Sequence, residues 1–99
     1  MTERNVSFDR SAHSLDAVQR AAYRLSDRMS CEVSETAGAI EATLHIPDDG
    51  VAPDILLADF RNEVLDQVLR ERIRAETADV RNLVLAVAFS KTGLSQTDV

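Results

Sequence analysis

MSCEVSETAGAIEATLHI, residues 29–46, is the stretch whose reading decides the fold. Met29, Cys31 and Val33 alternate with Ser30, Glu32 and Ser34. The alternation resumes after a turn around Glu35, Thr36, Ala37 and Gly38, with Ile40, Ala42, Leu44 and Ile46 set against Glu41, Thr43 and His45. Successive side chains of a strand point to opposite faces, so two period-two runs joined by a short glycine-containing turn read as an antiparallel hairpin. Each run is apolar on one side only, which predicts a sheet with one covered face and one wet face.

Working outward toward the N-terminus, Val6 and Phe8 alternate with Ser7 and Asp9, a short first strand. Ser14 is placed to cap a helix, with Asp16 in the first turn against the positive end of the dipole. Leu15, Val18, Ala21, Ala22 and Leu25 form one helical stripe, and Gln19, Arg20, Arg24 and Asp27 take the opposite side. Toward the C-terminus, Pro47, Asp48, Asp49 and Gly50 close the hairpin, and Pro53 suits the first turn of a new helix. Ile55, Leu56, Leu57, Phe60, Val64, Leu65, Val68, Leu69 and Ile73 keep a helical period. Thr77 is expected to break that run and cap a last helix, with Asp79 in its first turn. That helix, carrying Val80, Leu83, Val84, Leu85, Val87 and Phe89, is apolar around most of its circumference, so it is either central in the core or covered by a partner. Gly93 would cap it and Lys91 would sit favourably near its negative end.

The expected architecture is α+β, a two-layer sandwich in the order β-α-β-β-α-α. Its three-stranded sheet is mixed, strands one and two pairing in parallel through a right-handed crossover, and its helices collect on one face. A chain of 99 residues makes one domain, taken as residues 1–94 with a frayed tail at 95–99. With 44% hydrophobic but only 4% aromatic residues, aliphatic packing has to dominate the core.

Net charge −6 argues against nonspecific binding to nucleic acid or an anionic membrane, which needs clustered cations. The polar opening segment carries no secretory signal, no run is long enough to span a membrane, and one cysteine allows no internal disulfide. A cytoplasmic location is the expectation.

Metal binding would have to draw on His13, Cys31 and His45. Cys31 is in phase with the apolar face and His45 with the polar one, so the two cannot converge on one ion. Cys31 reads as a core residue whose thiol is held protonated by burial. The glycines sit at turns or caps and form no phosphate loop. Neither a cofactor nor catalysis by this chain is expected. On the long helix, Asn62, Asp66 and Arg70 fall four apart beside Asp59 and Glu63. Such a row is either a solvated face, its Asp66–Arg70 spacing worth about 0.3–0.5 kcal/mol, or a docking face.

The segment EVLDQVLRE, residues 63–71, resembles the motif LLNDYxLRE of the HxsD proteins of the His-Xaa-Ser system. Asp66, Leu69, Arg70 and Glu71 match; Leu65 stands in place of Asn and Gln67 in place of Tyr. The resemblance extends through Glu76, Thr77 and Arg81 to Lys91, and back through SLDAVQRAAYRLSD. It implies a setting with a repeat-bearing His-Xaa-Ser peptide and two radical-SAM proteins. The chain has His13-Ser14 but no repeat array, and no cysteine triad for a cluster. It is therefore expected to be a noncatalytic accessory or adaptor, binding the precursor peptide, the radical-SAM maturation proteins, or both. The docking residues expected are Asn62, Asp66, Arg70 and Glu71, with Arg81 secondary. One alternative is a structural homo-oligomer assembled through the apolar last helix. Another is a small enzyme using Asp66 or Glu71 as acid or base.

Overall fold

The computed structural model describes the backbone of residues 1–92 and the side chains of residues 1–88. The expected Gly93 cap, the tail at 95–99 and the side chain of Phe89 lie outside the described residues. The elements run β1 (Thr2–Asp9), α1 (Leu15–Arg24), β2 (Ser30–Glu35), β3 (Ala39–Ile46) and α2 (Pro53–Thr92). The chain divides into two units, one spanning Met1–Leu69 and the other beginning at Arg70.

Within the first unit the hairpin forms as its alternation dictates. Cys31 pairs with Leu44 and Val33 with Ala42, and Thr36 closes the turn by donating its N–H to the Ala39 carbonyl at 2.8 Å. The Ser14 hydroxyl accepts the Ala17 N–H at 3.0 Å, satisfying one of the amides that a helix start leaves open. Asp16 and Arg20, four apart, close a salt bridge at 2.7 Å on the exposed side of α1.

Two expectations are corrected. The sheet order is β1-β3-β2 and every pairing is antiparallel, so the sheet is not mixed. β1 and β2 do run in the same direction, but β3 lies between them, giving a split β-α-β unit. β3 is buried at four alternate positions, Ile40, Ala42, Leu44 and Ile46, and pairs with Thr2–Asp9 on one side and with all six residues of β2 on the other. The order is also β-α-β-β-α, not β-α-β-β-α-α, because α2 runs through Thr77 without interruption. No glycine or proline falls between residues 54 and 92, and one threonine costs a helix interior well under about 1 kcal/mol.

The core of the first unit lies on one face of the sheet. Val6 and Phe8 from β1, and Ile40, Ala42, Leu44 and Ile46 from β3, meet Val18 and Ala21 of α1 and Leu56, Phe60 and Val64 of α2. Phe8 and Phe60 pack edge to face with ring centroids 5.9 Å apart. This is the covered face; the other carries the polar alternates.

In the second unit the helix continues with its large aliphatic side chains in water. Ile73, Val80, Leu83, Val84, Leu85 and Val87 are all exposed, from 46% for Leu85 to 66% for Leu83.

Candidate functional site

Two surfaces of the first unit carry unspent polar groups: the open face of the sheet and its β1 edge. On the open face the strand register lines up Glu3 with His45 and Ser30, then Asn5 with Thr43 and Glu32, then Ser7 with Glu41 and Ser34. Asp9 and Ala39 complete it. None of these positions holds Arg or Lys. His45 lies between two carboxylates, its Nδ1 3.4 Å from Glu3 Oε1 and its Nε2 3.7 Å from Glu32 Oε1. The Thr43 hydroxyl donates to Asn5 Oδ1 at 2.9 Å. A shallow depression of about 370 Å³ lies over this region, lined by Asn5, Val6, Ser7, Glu41, Ala42 and Thr43.

The direction of the β1 backbone groups follows from the ladder. Arg10, next in register, donates its N–H to the Gly38 carbonyl. Bonded pairs alternate along an antiparallel ladder, so Phe8, Val6, Arg4 and Thr2 turn their N–H and C=O groups toward β3. Glu3, Asn5, Ser7 and Asp9 turn theirs outward. Asp9 agrees: its carbonyl accepts from the N–H groups of Ala12 and His13, at 3.1 and 3.0 Å, in the turn beyond β1. The Arg4 side chain reaches the Glu3 carbonyl at 3.3 Å. Among the described residues no turn, cap or side chain bonds the outward backbone groups of Asn5 or Ser7.

Electrostatics shape the end of this edge. The Ser11 backbone N–H and then its hydroxyl, each 2.9 Å from Asp9 Oδ1, hold the Asp9 carboxyl below its ordinary value of 3.8. That fixes the turn that ends β1. Cys31 is half-buried on the core side; burial, with Glu32 adding to it, pushes its thiol up to about 11. Its face is opposite that of His45, as the alternation required. Among the described residues no group of three His, Cys, Asp or Glu side chains stands close enough to hold a metal ion.

The residues singled out on the long helix are divided by the structure. Asn62, exposed, and Asp66, half-buried, stand one turn apart in the first unit. Arg70, Glu71 and Arg81 belong to the second, where Arg70 and Arg81 share a helix face and Glu71 stands about 100° round from Arg70. Two motif positions behave differently from their neighbours. Leu65, in place of the motif's Asn, is 56% exposed, and Gln67, in place of its Tyr, is buried. Gln67 Nε2 donates to Glu63 Oε2 at 2.9 Å, and the same oxygen meets Arg24 of α1 at 3.1 Å. The open face and the β1 edge escaped the sequence reading. The polar alternates were visible, but which strand forms an edge depends on strand order.

No helix among the described residues is long and apolar enough to cross a membrane. No curated protein and no solved structure matches the chain. The profile of one family, described as His-Xaa-Ser system protein HxsD, matches residues 8–95, a span from the first strand through the long helix. The chain belongs to the HxsD family.

Proposed function

We propose that this chain is a noncatalytic adaptor of the His-Xaa-Ser system, binding the precursor peptide, the radical-SAM modifying enzymes, or both. The observation that supports it most is the aliphatic row of the second unit. At about 100° per residue, Ile73, Val80, Leu83, Val84 and Val87 fall within an arc of about 100°. All five are exposed, Leu83 by 66%. A contiguous stripe of this kind in water is the mark of a surface that a protein partner covers.

The same row supports a second reading, a homo-oligomer joined through this helix. Co-purification separates the two. A tagged chain would be expressed with the radical-SAM proteins and repeat peptide of a His-Xaa-Ser system, next to Leu83→Glu and an Asp66→Ala/Arg70→Ala double variant. Capture of the enzymes by wild type and not by Leu83→Glu, from a chain that is monomeric by light scattering, is the result expected. Capture lost only in the double variant would move the interface to the motif. A stable homodimer that captures neither enzymes nor peptide would overturn the adaptor in favour of self-assembly.

A further inference from the structure

The described elements of the first unit match the first five of a β-α-β-β-α-β sandwich. In the complete arrangement the chain turns back after the second helix and adds a fourth strand beside the first. Here α2 is helical to Thr92, and among the described residues β1 is an edge of the sheet. We infer that the outer edge of β1 takes an extended segment of another polypeptide as a fourth strand, one that presents an Arg or Lys side chain toward the open face of the sheet.

Three observations carry this. Asn5 and Ser7 turn an N–H and a C=O outward at each residue, a main-chain pattern whose natural complement is another extended backbone. β1 carries charged residues only toward its ends, Glu3, Arg4 and Asp9, so Asn5 to Phe8 lack the charges that blunt an edge. Its register with β3 is unbroken over eight pairs, so no bulge twists it away, and it contains neither Pro nor Lys. Finally, the depression over Asn5, Ser7, Glu41 and Thr43 adjoins this edge and not the β2 edge. Neighbouring strands lie about 4.8 Å apart, so a long side chain on a strand beside β1 can cross β1 and reach Glu41 on β3. The open face carries Glu3, Asp9, Glu32 and Glu41 without an Arg or Lys, which selects a cationic side chain for that reach.

The β2 edge is the competitor, and its outward residues are identifiable. Thr36 bonds Ala39, so Cys31, Val33 and Glu35 face away from β3. That edge is shorter, six residues against eight.

The inference rests on the adaptor reading only for the source of the peptide, and the test keeps the two apart. Overlapping synthetic peptides covering a His-Xaa-Ser precursor would be titrated by fluorescence anisotropy against the whole chain. Ser7→Pro removes an outward N–H while leaving the β3 ladder intact, and Ser7→Ala keeps that N–H. Val33→Pro does the same at the other edge. The expected result is a precursor peptide whose affinity falls about tenfold or more in Ser7→Pro and is unchanged in Ser7→Ala and Val33→Pro. Glu41→Gln should weaken the same peptide severalfold and flatten its salt dependence. A second readout does not depend on any variant folding: amide exchange at Asn5 and Ser7, fast in the free wild-type chain, should slow when the peptide is bound. Four results would overturn the inference. They are loss of binding in Val33→Pro alone, no slowing at Asn5 and Ser7, amides already protected in the free chain, and a homodimer abolished by Ser7→Pro. Failure of every precursor peptide to bind would overturn it too. Enzyme capture in the co-purification experiment would then leave the adaptor standing without it.

Discussion

Phe60 is the residue on which the first unit turns, and its truncation gives the sharpest test of the packing. Its side chain is fully buried, and its ring meets that of Phe8 at 5.9 Å and 65°, an edge-to-face contact that ties α2 to β1. Removing a buried Phe ring loses its transfer free energy and leaves a cavity, together about 3–5 kcal/mol for Phe60→Ala. A chain of this size has a total stability of roughly 5–15 kcal/mol, so the variant should keep its fold narrowly or lose it. Phe60→Leu fills most of the space and is the informative companion, since it removes the ring pair and leaves much of the burial. The ring contact itself is worth about 0.5–1.5 kcal/mol beyond burial. Urea unfolding of Phe60→Leu, Phe8→Leu and the double variant isolates it, provided the dependence on denaturant is unchanged. Coupling of that size, with Phe60→Ala costing at least about 3 kcal/mol, is the expected outcome. Zero coupling, or a Phe60→Ala penalty below about 1 kcal/mol, would refute the placement of α2 against β1.

Two further outcomes follow from local chemistry. Ser14→Ala leaves the Ala17 N–H without its side-chain acceptor and should destabilise the chain by about 1 kcal/mol, read as a lowered urea midpoint, whereas Ser14→Asp should restore it. The Cys31 thiol, with its folded pKa raised to about 11 from 9.0, favours the neutral form in the folded state, so its contribution to stability is complete below pH 9.0 and is lost as pH rises through about 11. Alkylation by iodoacetamide should accordingly stay slow at pH 9 and accelerate only toward pH 11; a fast reaction at pH 8 would contradict the buried position.

The hairpin and α1 were legible because their signals are local. Alternation over residues 29–46 sets both the strands and their faces, and Ser14 announces the helix start three residues before the amide it caps. The partner of β1 was not legible. Val6 and Phe8 show that a strand exists, but alternation is the same whether the neighbour is β2 or β3, and pairing is a long-range choice. The strand also starts at Thr2, earlier than its first apolar residue, because pairing with β3 holds a polar stretch extended. Thr77 misled for a related reason: a capping residue caps only where the chain has cause to stop, and nothing around it breaks the helix. Of the site, the polar positions could be read from sequence and the edge could not, since an edge is defined by the absence of a neighbour.

Gln67 shows why the family motif should not be taken whole as a docking surface. The position is buried in the first unit, yet this chain fills it with an amide and the motif with a tyrosine. Both side chains combine an apolar body with a polar tip, and a buried tip needs a partner. Here the partner is Glu63, whose carboxylate also meets Arg24 and so joins α2 to α1. The middle of the motif therefore serves the fold of the first unit. Arg70 and Glu71 follow in the second unit, and the capture experiment tests whether they take part in partner binding. The co-purification variants separate these roles: Gln67→Leu should lower stability by orphaning part of Glu63 without altering capture in proportion, whereas a docking residue should do the reverse.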